Sequence, residues 1–149
     1  MVQSTVDPQV GNLATPLNSS GFSTALIRNL PAYRANLSAQ RRGLEIGMAH
    51  GYFIYGPLAL LGPLRSTDVA AEAGVAGAIA LVTLLTVALS LHGSVRKGDA
   101  IATITTPNPP KDFGTPEGWS EFATGFFIGG CGGAFFAYLL AQAPALISF

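Results

Sequence analysis

Three long stretches without a charged side chain constrain the fold of this chain more than any other feature. They cover residues 46–64, 73–95 and 122–149. Each is close to the ~20 apolar residues needed to cross a hydrocarbon core of ~30 Å. Charged residues make up only 11% of the chain, whereas a soluble domain usually carries about 25%. The sequence therefore predicts an all-α membrane protein with three transmembrane helices.

The first stretch gives the weakest of the three signals. It contains His50, Pro57 and several glycines, so a buried helix of a soluble domain is the alternative interpretation there. Proline removes a backbone donor and bends a helix. Pro57 therefore predicts a kink in the first helix, and Pro144 predicts a disturbed end of the third.

Capping residues indicate where the helices begin and end. Ser38, Asp68 and Thr115 are predicted N-caps, because a short polar side chain can accept a hydrogen bond from the first helical turn. A proline and an acid follow Thr115, as is typical of a helix start. Gly93 is the predicted stop of the second helix. We expect a single domain, 1–149, with an N-terminal segment at 1–37, helices at 38–64, 68–95 and 117–143, and a loop at 96–116.

Basic side chains are distributed unevenly around the predicted helices. Seven of the eight lie before the first uncharged stretch or between the second and third, and only Arg65 lies between the first and second. Cytoplasmic segments of membrane proteins carry the excess of Lys and Arg. We therefore expect the 1–37 segment and the proline-rich 96–116 loop to lie on the cytoplasmic side. Three crossings then place the C-terminus on the opposite side.

Glycines recur every four residues on the first and third predicted helices. At this spacing they share one helix face, where small residues let another helix or a flat ligand approach the backbone closely. Ordinary glycine enrichment of transmembrane helices is the alternative. The two sets are Gly43, Gly47 and Gly51, and Gly125, Gly129 and Gly133.

His50 is the one ionisable side chain deep inside a predicted span, and such residues are usually functional. Glu45 lies five residues earlier, so the two side chains point roughly 140° apart and lie ~7.5 Å apart along the axis. Each could therefore give one axial ligand to a separate metal-centred ring, since imidazole and carboxylate oxygen both bind metals. The alternatives are a hydrogen bond from His50 to a neighbouring helix and an ion pair of Glu45 with Arg41 or Arg42. His92 is best explained as an interfacial histidine.

Catalytic and nucleic-acid-binding patterns are absent from the sequence. It has no Ser/His/Asp or Cys/His set, no phosphate-binding glycine loop and no basic aromatic patch, and its net charge is zero. Its single cysteine, Cys131, cannot form an internal disulfide. We therefore expect neither an enzyme nor a nucleic-acid partner.

Five short motifs in the chain are specific enough to be compared with a known family. They are NLPAYR at 29–34, RGLEIGMAHGYF at 42–53, GPLR at 62–65, EGWS at 117–120 and GFFIGG at 125–130. Together they resemble photosystem I reaction centre subunit XI of the cyanobacterial type. The likeness extends over roughly residues 11–143. The first residues lack the features of a secretory or transit peptide, which also suits a cyanobacterial member.

The resemblance implies a non-catalytic subunit that binds pigment. It implies three transmembrane helices with the N-terminus on the cytoplasmic side and the C-terminus on the lumenal side. Glu45 and His50 would be axial ligands of two chlorophyll a molecules, with β-carotene between helices. The pigment pockets would include Pro31, Ala32, Tyr33, Leu44, Met48, Gly51 and Phe53.

The resemblance also implies partners. These are the large photosystem I reaction-centre subunits, other small subunits, membrane lipid, and copies of the same chain in neighbouring monomers, all in the thylakoid membrane. In trimer-forming members an aspartate after the GPLR motif helps to bind calcium between monomers. Ser66 stands there, and a neutral hydroxyl is a poorer Ca²⁺ ligand than a carboxylate. We therefore expect a weakened or absent calcium site at Pro63 and Asp68, since Asp68 is also needed as a cap.

Two other functions compete with this interpretation. A haem-binding membrane anchor subunit of a respiratory complex would need His50 and His92 at similar depth, whereas His50 lies ~12 Å inside the first helix and His92 at the end of the second. A small transporter subunit would need broken helices and polar groups near the membrane midplane, where His50 stands alone.

Overall fold

A computed structural model describes residues 3–4, 13–96 and 98–147. The described part is almost entirely helical, with one antiparallel pair of two-residue strands in which Gln3 pairs with Ala14. A 3-10 turn at Lys111–Gly114 lies within the proline-rich loop before the last helix. The elements are β1 (Gln3–Ser4), β2 (Leu13–Ala14), α1 (Gly21–Asn29), α2 (Ala39–Leu61), α3 (Ala70–Val95) and α4 (Pro116–Ile147).

Two of the three predicted N-caps are confirmed. The Ser38 side chain accepts a hydrogen bond from the Arg41 N–H, and Thr115 Oγ1 accepts one from the Gly118 N–H at 3.1 Å. Asp68 is not a cap, contrary to the prediction. The chain makes tight turns after Leu64, so α3 begins only at Ala70, and no described side chain caps its first turn.

The predicted stop at Gly93 is also wrong, because α3 continues to Val95. A Cβ atom at Gly93 would lie 2.3 Å from Cβ of Trp119. This glycine therefore serves the packing of α3 against the start of α4. At the other boundaries, α2 ends at Leu61, before the predicted 64, and α4 continues past 143 to Ile147. Pro57 lies inside α2, and the kink that it predicts stays a prediction.

The three long helices form an up-down-up bundle. Gly43 of α2 faces Phe122 of α4, and Gly51 faces Gly130 further along, so α2 and α4 run parallel. Gly74, near the start of α3, packs instead on Ala59 near the end of α2. The antiparallel α3 thus places its C-terminus beside the N-termini of α2 and α4.

Glycines bring the backbones of α2 and α4 into direct contact, which confirms the predicted close packing. A Cβ at Gly47 would lie 2.2 Å from the Phe126 carbonyl oxygen, and one at Gly129 would lie 2.0 Å from that of Leu44. Real Cβ atoms do not approach so closely, so only glycine fits. The remaining glycines of the two repeats make the same contact, namely Gly43, Gly51, Gly125 and Gly133.

Between the close approaches at Gly74 and Gly93, side chains rather than backbone mediate the contacts of α3. Ala78 and Val82 of α3 are fully buried, and Ala78 packs in one cluster with Ala134 and Tyr55. The hydroxyls of α3 are bonded within their own helix, as when Thr86 donates to the Val82 carbonyl at 2.8 Å. These hydroxyls therefore need no hydrogen-bond partner from a neighbouring helix.

Among the described residues, two helices are long and apolar enough to cross a membrane. They are α3 and the 116–143 part of α4. The first and third predicted spans therefore differ, because α4 is long and apolar enough to cross a membrane and α2 is not. Its first two turns carry Arg41, Arg42 and Glu45, which leave a shorter uncharged length.

Candidate functional site

His50 has the hydrogen bonding expected of a metal-ligating histidine. Its Nδ1 lies 2.8 Å from the Ile46 carbonyl oxygen. A carbonyl only accepts, so Nδ1 carries the proton, and neutral imidazole then keeps a lone pair on Nε2. The bond lies within α2 and not across to a neighbouring helix, which removes the alternative explanation for this residue.

An apolar cavity of about 210 Å³ adjoins the His50 ring. The ring is exposed, and it meets Phe126 edge-on with ring centroids 5.4 Å apart. A neutral nitrogen ligand beside hydrocarbon suits the metal of a flat, apolar ring system better than a hydrated ion. The other lining residues come from all three long helices and are Ile46, Leu85, Leu89 and Phe122.

Glu45 forms an ion pair with Arg34. The sequence suggested Arg41 or Arg42 as partners, because both lie within one helical turn, and this alternative is wrong. Arg42 turns into the bundle, and Arg34 reaches Glu45 from the segment before α2. The pair is half-buried, with 39% of the Arg34 side chain and 36% of the Glu45 side chain exposed.

A second and larger cavity, of about 450 Å³, lies beside Glu45. Arg34 engages one carboxylate oxygen, Oε1, and a carboxylate has a second oxygen that can bind a metal. The cavity shares no lining residue with that of His50, so the two sites are distinct. Its other lining residues are Met48, Ala49, Tyr52, Gly132, Gly133 and Phe136.

Arg42 is the most buried charged residue described, with only 4% of its surface exposed. Its Nη1 donates to the carbonyl oxygens of Pro31 (3.0 Å), Ala32 (3.1 Å) and Arg34 (2.7 Å). Arg42 therefore fixes the segment that precedes α2 against the end of the bundle.

The other predicted pocket residues are distributed over several environments. Tyr33 and Ala32 line a third cavity, of about 410 Å³, beneath the 98–110 loop. Phe53 is exposed on α2. Gly51 lies in the contact with α4 and not in a cavity, and the Leu44 carbonyl faces Gly129. Pro31 contributes its carbonyl to the bonds made by Arg42.

The predicted calcium residues lie in the turns between α2 and α3. Within the described residues, no group of three or more His, Cys, Asp or Glu side chains is placed to hold a metal ion. Because Asp68 is not a cap, competition for it no longer weakens the site. The weakness then rests on Ser66 alone, and it stays a prediction.

His92 lies at the end of α3, where its ring meets Trp119 with centroids 4.7 Å apart. Trp119 Nε1 donates to the Phe113 carbonyl at 2.9 Å, which ties α4 to the preceding loop.

Sequence reasoning missed the roles of Arg34 and Arg42. The NLPAYR motif was the available signal for Arg34, but it does not indicate a partner.

Comparison with known proteins identifies the family. The family described as photosystem I reaction centre subunit XI matches residues 1–146. A photosystem I reaction center subunit XI of Crocosphaera subtropica is 65% identical over 92% of this chain and 88% of its own length. One from a Picosynechococcus species is 66% identical over 96% and 94%. Another, from a Nostoc species, is 55% identical over 95% and 82%. This chain therefore belongs to the photosystem I reaction centre subunit XI family.

Proposed function

We propose that this chain is a non-catalytic subunit of photosystem I in the thylakoid membrane. It binds chlorophyll a through His50 and Glu45, contacts carotenoid, and mediates contacts between reaction-centre monomers. Membership of the subunit XI family supports the proposal that the chain is part of the photosystem I complex. The observation that carries the pigment-binding function is the imidazole of His50, which donates from Nδ1 to its own helix and leaves Nε2 as an acceptor beside an apolar cavity.

The donor atoms fit the magnesium of a chlorophyll. Imidazole nitrogen and carboxylate oxygen could each hold such a magnesium, and a second partner usually fixes the ligating side chain. Ile46 fixes His50, and Arg34 fixes Glu45. The bound chlorophyll would supply light absorption, while the chain orients each ring and surrounds it with apolar side chains.

Three crossings of the membrane are part of this proposal. The 23 residues of α2 extend about 35 Å at ~1.5 Å per residue, enough to span despite its charged start. Long basic side chains near that start can extend to the polar interface. Arg42 ties the NLPAYR segment to the same end of the bundle, so most basic residues lie at one end. The excess of basic residues supports a cytoplasmic position for that end and a lumenal C-terminus.

Exposed apolar side chains on the outside of the bundle support lipid, carotenoid and subunit contacts. Leu84 and Leu91 project from α3, and Phe135 projects from α4. The partners in this proposal are the large reaction-centre subunits, small subunits and other copies of this chain. Contacts between monomers would rest on apolar packing, because Ser66 offers calcium a poor ligand. Nothing supports the haem alternative, since His92 packs on Trp119 while His50 packs on Phe126.

The experiment replaces His50 by leucine in the chain of intact photosystem I, with His92→Leu as the matched control. We expect the parent to hold a magnesium about 2.1 Å from Nε2 of His50. The His50 variant should lose or displace that one chlorophyll, and the His92 variant should keep it. Cryo-electron microscopy and pigment extraction measure both results. A His50 ring more than about 3 Å from any magnesium in the parent would refute the proposal.

A further inference from the structure

We propose that Arg34 is the counter-ion and positioning residue of the Glu45 ligand, and that buried Arg42 holds Arg34 in place. This inference rests on the proposed binding of chlorophyll by Glu45. Neither arginine would touch the magnesium. They would act on the Glu45 carboxylate, and so determine whether this charged group can bind a magnesium beside an apolar cavity.

The first step is the fixed position of the segment that carries Arg34. The Tyr33 and Arg34 N–H groups both donate to the Leu30 carbonyl, at 2.9 and 2.8 Å. Nη1 of Arg42 then binds the carbonyls of Pro31, Ala32 and Arg34 from inside the bundle. Hydrogen bonds thus hold both the N–H and the carbonyl of Arg34. The backbone from which its side chain extends towards α2 therefore has a fixed position.

The second step is the geometry at the carboxylate. The Arg34 guanidinium binds Oε1 of Glu45, so this oxygen is engaged and the other, Oε2, is left for a ligand. Glu45 also lines the cavity that Met48, Tyr52 and Phe136 share. A ligand held by a second residue in this way loses less conformational freedom when the pigment binds.

The third step is charge. The ring and magnesium of a chlorophyll together are neutral, so a carboxylate ligand leaves one uncompensated negative charge among apolar groups. Such a charge is costly unless a cation pairs with it. Arg34 supplies that cation. His50 is a neutral ligand that needs no counter-ion, and its second nitrogen binds a backbone carbonyl instead.

The neighbouring Arg41 provides a matched control. It has the same charge as Arg42 and is adjacent in sequence, but its side chain is exposed. Arg42 is buried and binds three carbonyls. An effect of general charge at this end of the chain would appear equally in Arg41→Gln and Arg42→Gln, whereas the proposed role appears only in the second.

The test introduces Arg34→Gln, Arg42→Gln and Arg41→Gln separately into intact photosystem I. Occupancy of the chlorophyll at Glu45 is read from cryo-electron microscopy maps, and its absorption band from low-temperature difference spectra. We expect the binding constant for this chlorophyll to fall about fivefold in Arg34→Gln, the effect of losing ~1 kcal/mol from a half-exposed pair, and the occupancy to fall with it. Arg42→Gln should have a similar effect, and Arg41→Gln should match the parent.

A rescue variant separates the proposed role from general damage. In the double variant Glu45→His, Arg34→Gln the ligand is neutral, so no counter-ion is needed and the pigment should return. Hydrogen exchange of residues 31–37 gives a readout independent of pigment. Exchange should accelerate in Arg42→Gln, which frees the segment, but stay near the parent rate in Arg34→Gln.

The possible failures are distinguishable. A parent without chlorophyll at Glu45 would refute the proposed function of that residue, and the inference with it. A parent with this pigment, but full occupancy in Arg34→Gln, would overturn the inference alone. Loss of pigment in the neutral-ligand double variant would also overturn it, because Arg34 would then act on the fold and not on the ligand.

Discussion

The contact between α2 and α4 differs in kind from the contacts that α3 makes with both. In the first, glycine Cα atoms lie against backbone carbonyls, as Gly47 does against Phe126. In the second, small side chains such as Val82 and Ala78 fill the space along the middle of α3, between its close contacts at Gly74 and Gly93. A backbone contact tolerates no added atom, whereas a side-chain contact can adjust. The bundle therefore contains one rigid helix pair and one more adaptable helix.

The difference follows the apolar character of the helices. The most apolar helix is α3, while α2 carries three charged residues in its first two turns and is not apolar enough to count as a candidate span. Helices in lipid associate through close packing and not through the hydrophobic effect. The two proposed ligands, Glu45 and His50, both come from α2. The glycine contact thus gives fixed positions to the helix that carries them.

Gly129→Ala should have the largest effect on this comparison. The new Cβ would lie 2.0 Å from the Leu44 carbonyl oxygen, so α2 and α4 must separate. We expect a loss of about 3 kcal/mol in the free energy of unfolding, at the upper end for overpacking. Unfolding of the detergent-solubilised chain by sodium dodecyl sulfate, followed by circular dichroism, measures this.

Gly132→Ala is the matched control on the same helix. Among the described residues, no atom lies within 4 Å of a Cβ built there, apart from its own helix backbone and chain neighbours. Alanine favours a helix over glycine by up to about 1 kcal/mol, so this variant should be neutral or slightly more stable. Equal losses in Gly129→Ala and Gly132→Ala would contradict the distinction between the two contacts.

Gly130→Ala tests the adaptable contact and should cost less, about 1–2 kcal/mol. Its Cβ would meet Cγ1 of Val82 at 2.5 Å, which is a side-chain and not a backbone clash. Removing two methyl groups through Val82→Ala in the same chain should restore part of the loss. If the double variant is less stable than the sum of the single changes, the contact of α3 is as rigid as that of α2.

The N-termini of α3 and α4 allow a similar comparison at helix ends. We expect the smallest change in the free energy of unfolding there. Thr115→Ala removes the cap that binds the Gly118 N–H and should cost about 1 kcal/mol. Asp68→Ala removes a side chain that caps nothing at the start of α3, so its unfolding free energy should be unchanged. Thermal unfolding of the two variants measures the difference, and a larger loss in Asp68→Ala would contradict the observed helix start.

Local rules predicted well those features that depend on local structure. The glycine spacing, the Ser38 cap and the start of α4 at Thr115 all follow from patterns within one or two turns, and all are confirmed. Two of the three predicted spans meet the criterion for length and apolar character.

Features set by distant residues escaped the same rules. The partner of Glu45 could not be predicted from helical spacing, because Arg34 lies outside α2 and reaches it through a segment that Arg42 holds. Gly93 was misread as a stop because its neighbour, Trp119, comes from another helix. The short helix α1 was not predicted within the N-terminal segment.

The parallel pairing of α2 with α4 has a consequence for synthesis of the chain. Chains emerge from the ribosome N-terminus first, and the whole of α3 is made between Gly47 and its contact Phe126. The least apolar of the three long helices is therefore made before the helix that it contacts most closely. A chain interrupted after α3 would carry a glycine stripe with nothing against it, which makes arrival of the last helix the step that commits the molecule to its final shape.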